Sequence, residues 1–203
     1  MPPENPPAPE TTEGPDFGSR ELEEARWLVD RAIREDLPDG DVTTDPLFGG
    51  QSPGHAGVVL EAQYVPRERG VLCGIPVLRE LFAKAPGAEL LELQRDGDSI
   101  EPGAPCLKVR GPAGVILRLE RVSLNFLQRL SGIASETRRW VEALGASHPA
   151  LLDTRKTTPA WRHLEKYAVR TGGAQNHRKS LSDAILLKDN HLEALCGPSG
   201  KRL

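Results

Sequence analysis

Two polar clusters near the end of the chain carry the residues best suited to chemistry. Asp153-Thr154-Arg155-Lys156 follows the apolar pair Leu151-Leu152, and Lys188-Asp189-Asn190-His191 follows Ala184-Ile185-Leu186-Leu187. Between them lies the turn Thr171-Gly172-Gly173, then Asn176-His177-Arg178. Adjacent cations repel unless an anion lies between them; arginine holds a carboxylate or phosphate bidentately, and lysine acts as a compact point charge. From Leu151 to His191 eight cations stand against four anions, a net +4 within a chain of net charge −3. Such asymmetry points to an anionic ligand at this segment. Each cluster has a plainer reading beside it: a solvated turn for 153–156, a surface pair for His177-Arg178, a capped strand edge for Lys188. Lys188 is the hardest to dismiss, because the end of a buried parallel strand is where βα folds place catalytic groups.

Other classes lose support. There is no GxxxxGK[ST] phosphate loop, no GxGxxG, no HExxH, no CxxC pair and no GxSxG elbow. The net acidic chain lacks a basic stripe, which argues against nucleic acid as a partner. No apolar run approaches the roughly 20 residues of a membrane span, and the N-terminus resembles neither a secretory signal nor a transit peptide. Cys73, Cys106 and Cys196 are widely spaced and odd in number, as expected of reduced thiols in a cytoplasmic protein.

The elements that must position these clusters follow from periodicity. Residues 1–18 are rich in Pro, Glu and Thr and are expected to form a disordered tail. Ser19 is placed to cap a helix with Leu22, Ala25, Val29, Ala32 and Ile33 on one face, ended by Leu37-Pro38. Strands are expected over 57–65, 70–74, 89–93 and 106–109, with a helix after Pro76 and a turn-rich loop over DGDSIEPGAP. A helix carrying Val115, Leu119, Val122, Phe126 and Leu130 should break at Gly132. A second, with Ile133, Thr137, Trp140, Val141 and Leu144, should end at Gly145. Beyond Leu151, strand and helix alternate, with Leu151-Leu152 and Ala184–Leu187 as buried parallel strands. The chain thus reads as α/β, its two halves meeting near residues 111–130. On these grounds alone the ligand is a multiply anionic small molecule and nothing narrower.

DTRKTTP, EKYAVRTGG, NHR and KDNH, in this order and spacing, resemble the quinolinate phosphoribosyltransferase family, also called nicotinate-nucleotide pyrophosphorylase (carboxylating). The resemblance extends back through LERVSLNFLQRLSGIAS, RGVLCGIPV and REDLPDGDVTT. It implies an N-terminal α/β sandwich-like domain over 19–125, then the first βα units of an incomplete α/β barrel over 126–203. The implied reaction joins quinolinate and phosphoribosyl pyrophosphate to give nicotinate mononucleotide, pyrophosphate and carbon dioxide, a step of NAD biosynthesis, with Mg2+. Arg155, His177 and Arg178 match positions that hold the quinolinate carboxylates, with Thr154 beside them. Lys156 and Lys188 match lysines near the dicarboxylate and the phosphoribosyl group, the candidates for a catalytic role. Arg121 matches an arginine that reaches the neighbouring subunit's site, which implies a homodimer with a shared active site.

The sequence departs from the family pattern at Ala160 and Ala174, where glycine is usual, and at Thr171, where cysteine is common. Members of the family continue well past KDNH through further βα units that supply acidic residues for magnesium and the ribose hydroxyls. By that resemblance the chain is truncated at its C-terminus, the metal ligands lie beyond Leu203, and an alternative stands: a non-catalytic member that binds acidic ligands or pairs with a full-length subunit.

Overall fold

Helix α1 (Ser19–Asp36) begins at Gly18, which offers no side-chain cap; Ser19, the expected cap, lies inside the first turn. Glu21 takes over the task, since its carboxylate turns back onto its own amide and satisfies one of the free N–H groups of the helix start. The computed structural model describes residues 15–48, 57–145 and 149–196, so most of the expected tail and the last seven residues lie outside the described residues. After Pro38 the loop contains a short helix, α2 (Thr44–Phe48). Its start is fixed by Asp41, whose Oδ1 accepts from the amides of Thr43 (2.9 Å) and Thr44 (2.8 Å).

Strand β1 (Val59–Tyr64) is followed by β2 (Gly70–Val71), helix α3 (Ile75–Phe82), β3 (Glu89–Glu92), β4 (Ser99–Ile100) and β5 (Leu107–Pro112). The central strand of a three-stranded sheet is β5, antiparallel to β1 on one side and β3 on the other. Leu107 and Val109 point into the core while Lys108 and Arg110 face outward, the period-2 pattern of a half-buried sheet. The expected loop over DGDSIEPGAP holds β4, which pairs with β2 as a small second sheet. Pro76 sits at the start of α3 as expected, and Asp96 caps that helix by accepting from the amides of Gly74 (2.9 Å) and Ile75 (3.0 Å).

Helix α4 (Ala113–Leu144) runs unbroken for 32 residues, so the expected break at Gly132 does not occur. Gly132 is solvent-facing, and its cost of about 1 kcal/mol relative to alanine is small beside the burial of its neighbours Leu130 and Ala134, both fully enclosed. Gly145 ends the helix with φ 70°, as expected. One face of α4 is pinned by hydroxyls. Ser123 Oγ accepts from Tyr64 Oη (2.8 Å), Ser131 Oγ from the Cys73 amide (3.0 Å) and Ser135 Oγ from the Val71 amide (2.8 Å). Trp140, expected on the apolar face, is 57% exposed and donates to Glu136.

Helix α5 (Arg162–Thr171) packs on α4, and α6 (Asp189–Cys196) closes the described chain. The α4–α5 approach is close because Gly172 has no side chain: a Cβ there would lie 2.5 Å from both the Ala134 carbonyl oxygen and Thr137 Cβ. Phe126 stacks on Trp161 with ring centroids 5.1 Å apart, joining α4 to the start of α5. Leu78, Leu81, Leu107, Leu130 and Leu164 are fully buried in one core, each contributing about 1.5–3 kcal/mol by leaving water. Cys73 and Cys106 are unpaired and buried, and burial pushes both thiols above their ordinary value. The mixed helix and sheet content agrees with the α/β expectation. The two expected parallel strands do not both form. Leu152 makes a single parallel bridge to Gln175, whereas Ala184–Leu187 forms no strand and is exposed. No strand lies beside that run among the described residues, and the Ala184 carbonyl accepts instead from the Arg178 side chain.

Candidate active site

The bridge between Leu152 and Gln175 is what brings two of the sequence clusters together. Gln175 N donates to the Leu151 carbonyl (3.0 Å) and Asp153 N to the Gln175 carbonyl (3.2 Å), so residues 153–156 emerge beside 176–178. Asp153 then knots them. Its Oδ1 accepts from the His177 amide (2.8 Å) and from Lys166 Nζ, and its Oδ2 from Asn176 Nδ2 (2.7 Å). Lys166 also donates to the His177 carbonyl (3.0 Å). The ion pair is nearly dry, with side chains 1% exposed for Lys166 and 9% for Asp153. Removing both charges from water costs several kcal/mol per ion; here Lys166 Nζ bonds both Asp153 and the His177 carbonyl, and the Asp153 carboxylate accepts from Lys166, Asn176 and the His177 amide.

A second carboxylate fixes the other side of the 153–161 loop. Glu165 accepts from Thr158 Oγ1 (2.7 Å), the Thr158 amide (3.1 Å) and Arg129 on α4 (2.6 Å). Burial opposes its charge, but the bonds from Thr158 and Arg129 outweigh burial and hold its carboxyl below the ordinary value. The third contact comes from α1. Glu24 Oε1 caps α5 by accepting from the Leu164 amide (2.9 Å). Glu21 Oε1 accepts from Arg170 (3.2 Å) and Lys179 Nζ (3.1 Å). Burial opposes the charge on Glu21 too, yet its own amide together with Lys179 and Arg170 keeps its carboxyl below the ordinary value.

These contacts correct the charge count. Of the eight cations, Lys166 is paired with Asp153, and Arg170 and Lys179 share the single charge of Glu21; they support the site from behind. Arg162 is engaged with Thr157 and the Lys179 carbonyl. What remains is Arg155, Lys156, Arg178 and Lys188. Arg155 is half-buried, and its Nε is enclosed without a hydrogen-bond partner. A buried guanidinium N–H left unpaired is costly in a native structure and calls for an acceptor. Lys156 is exposed next to it, its amide donating to Thr154 Oγ1 (3.1 Å). The His177 side chain is exposed, and Arg178 donates to the Ala184 carbonyl (2.8 Å).

Thr154, Arg155, Lys156, His177 and Arg178 therefore gather around Asp153. Lys188 and Arg121 join no hydrogen bond with them among the described residues. Lys188 stands exposed just before α6, its amide donating to His191 Nδ1 (3.1 Å), and the buried strand expected to deliver it is absent. Arg121 is exposed on α4. The supporting roles missed from the sequence are those of the carboxylates and amides behind the cations: Asp153 as the knot, Asn176, Glu165 and Glu21. Asp153 and Asn176 stood inside the two clusters, with no sign that they tie them together, and nothing pointed to Glu165 or Glu21.

A groove of about 710 Å³ lies alongside, between α4 and Leu151-Leu152, with Ile133, Trp140 and Val169 in its walls. Its lining is mostly apolar, and its charged members are the carboxylates Glu136 and Asp153 and one cation, Arg129, already engaged with Thr158 and Glu165, so it does not suit a dicarboxylate. For magnesium the donor set is deficient. No cluster of three His, Cys, Asp or Glu that could hold a metal occurs among the described residues, and Asp153 has committed both oxygens to protein donors. The described residues do not fit the ion.

The α/β fold ties a strand-end arginine and lysine to a His-Arg pair across one bridge. Two family models match the chain: the quinolinate phosphoribosyl transferase N-terminal domain over residues 41–131 and the C-terminal domain over 133–199. The probable nicotinate-nucleotide pyrophosphorylase [carboxylating] of Bacillus subtilis is 42% identical over 171 residues, covering 84% of this chain and 56% of that protein. Nicotinate-nucleotide pyrophosphorylase [carboxylating] of Mycobacterium leprae is 42% identical over 180 residues, covering 86% and 61%. Among solved structures, nicotinate-nucleotide pyrophosphorylase from Francisella tularensis superimposes with TM-score 0.78 at 32% identity, covering 88% of this chain and 62% of its own. NadC from Streptococcus pyogenes does so with TM-score 0.77 at 40% identity, covering 87% and 62%. The chain belongs to the quinolinate phosphoribosyltransferase family. It spans between 55% and 61% of the length of the first curated relatives it matches.

Proposed function

We propose that this chain holds quinolinate for transfer of a phosphoribosyl group, in the reaction quinolinate plus phosphoribosyl pyrophosphate to nicotinate mononucleotide, pyrophosphate and carbon dioxide, within NAD biosynthesis. The observation that carries the reading is Arg155, with its enclosed and unpartnered Nε, set beside His177 and Arg178 by Asp153. In this reading Arg155, His177 and Arg178 take the two carboxylates, Thr154 adds a hydroxyl, and Lys156 and Lys188 face the phosphoribosyl group. The pyridine nitrogen forms a bond to the anomeric carbon as the bond to pyrophosphate breaks, its electron pair leaving on the pyrophosphate. The fixed cations stabilise that developing negative charge. The ribosylated ring is cationic, so the carboxylate next to nitrogen departs as carbon dioxide; the electron pair stays on the ring carbon and is taken up by a solvent proton. No covalent enzyme intermediate is required, and the side chains act by position and charge.

The Mg2+ of the family's reaction belongs to the same proposal, and no step is assigned to it. So do the homodimer, for which Arg121 supplies an exposed cation on α4, and a cytoplasmic location. No described helix is long and apolar enough to cross a membrane. Calorimetric titration of the 203-residue chain with quinolinate tests the binding reading: the Arg155→Ala, Arg178→Ala double variant should lose the heat of binding, and undiminished binding would sink the assignment. Turnover is assayed separately, as nicotinate mononucleotide formed from quinolinate and phosphoribosyl pyrophosphate.

A further inference from the structure

Glu21 lies in the first turn of α1, outside both segments matched by the family models. An acidic side chain near an anion site weakens the field that attracts the ligand, so its burial there requires another reason. Its carboxylate, 4% exposed, accepts from Arg170 and Lys179. Arg170 passes the contact on, donating to Asn176 Oδ1 (2.5 Å). Asn176 donates to Asp153 Oδ2 (2.7 Å), and Asp153 Oδ1 accepts from the His177 amide (2.8 Å). The links are continuous from α1 to the backbone of His177, and Lys179 grips the same loop from its far end, next to Arg178. Asn176 is also held by the Lys166 carbonyl (2.9 Å), so its amide plane is fixed on three sides.

We propose that Glu21 is a positioning residue for the dicarboxylate site: through Arg170 and Lys179 it fixes residues 176–179, and with them the His177 and Arg178 side chains, without touching the ligand. The proposal rests on the quinolinate reading given above. It makes α1 part of the binding apparatus and explains why two cations of the basic segment face away from the ligand. A loop carrying the adjacent cations Arg178 and Lys179 would otherwise spread under their repulsion and lose affinity through the cost of ordering it on binding.

Glu21→Gln tests it, with Glu23→Gln as the matched control, because Glu23 sits in the same helix turn and is exposed. Both variants remove one negative charge, and field strength alone predicts equal or tighter quinolinate binding for each. Positioning predicts that Glu21→Gln weakens quinolinate binding by about tenfold in calorimetry, while Glu23→Gln does not. Amide hydrogen exchange supplies the readout that needs no ligand. In Glu21→Gln, exchange at residues 176–179 should accelerate while the amides of α4 around Leu130 keep their protection. Exchange at 176–179 matching that of Glu23→Gln overturns the proposal, as does an equal acceleration throughout α4. Faster loop exchange with quinolinate affinity unchanged or improved overturns it too, since Glu21 would then be only a structural tie. If the unaltered chain gives no heat with quinolinate, the functional reading fails by itself, and the exchange comparison still decides whether Glu21 holds this loop.

Discussion

Two stretches of this chain carry one signature, a short apolar run ending in a polar cluster, and they fold differently. Leu151-Leu152 followed by Asp153–Lys156 is tied into the molecule by the Gln175 bridge and by Lys166, Asn176 and the His177 amide. Ala184–Leu187 followed by Lys188–His191 forms no strand, with Ile185 93% and Leu187 67% exposed. The apolar residues do not decide the outcome, for Leu152 is itself 47% exposed. What differs is the carboxylate. Asp153 has four groups aimed at it or at its neighbours from α5 and the following loop, whereas Asp189 begins α6 on the surface. A strand end becomes a site here when a buried charge organises it.

Removing that charge should break the comparison most strongly. Asp153→Ala leaves Lys166 buried and unpaired, and is expected to cost about 3–5 kcal/mol in urea unfolding. Asp189→Ala, in the polar cluster of the other stretch, should fall within about 0.5 kcal/mol. Equal effects would mean that the two stretches are held alike. Glu165 is next in size. Glu165→Gln weakens charge-assisted bonds to Thr158 and Arg129 and should cost about 1.5–3 kcal/mol at neutral pH. The sign with pH follows from its lowered folded value. Its stabilisation is complete above the unfolded carboxyl value of 4.5 and is lost as pH falls through the lower, folded one. Acid titration followed by hydrogen exchange should therefore show this part of the acid loss at residues 158–165 in the unaltered chain and not in the variant.

Much of the architecture could be read from periodicity because packing is apolar there. The alternation in β5 and the 3.6-residue spacing in α3 and α4 report faces that are buried for their hydrophobicity alone, and Val77, Leu78, Leu107 and Val109 lie where the pattern puts them. Gly132 misled because a local propensity of about 1 kcal/mol was weighed without the core on either side of it. The cationic half of the site was legible as residue types, Arg155, Lys156, His177 and Arg178. Its support was not, because Glu21 and Arg170 are 149 positions apart and Asp153 and Lys166 are 13 apart; neither pairing has a period. The net +4 of the segment also included Lys166, Arg170 and Lys179, which face Asp153 and Glu21, since net charge does not say which way a side chain points.

Ala160 sharpens the comparison from inside the organised stretch. It has φ 64°, in the left-handed region, immediately before the Trp161 that starts α5. A side chain there costs about 1–2 kcal/mol, and the surrounding contacts of Thr158 and Glu165 hold it in place. Ala160→Gly removes that strain but gains unfolded-chain entropy, so a net stabilisation of about 0.5–1 kcal/mol is expected, read as a raised urea midpoint at unchanged slope.

The smallest effect decides whether the second stretch is free in solution. Ile185→Ser deletes an apolar side chain that is almost wholly in water, so no transfer energy is lost and no cavity forms; the change should fall within about 0.5 kcal/mol. Leu164→Ala, at a fully buried position of α5, should cost about 2–5 kcal/mol in the same experiment. Both residues are aliphatic, and the contrast between the two effects reports the burial of Leu164 against the exposure of Ile185. If Ile185→Ser costs 2 kcal/mol or more on the scale of a buried aliphatic side chain, the run is covered in solution, and Lys188 is then delivered from a buried strand after all. In that event the contrast between Asp153 and Asp189 is one of degree, and the Asp189→Ala variant should lose stability alongside it.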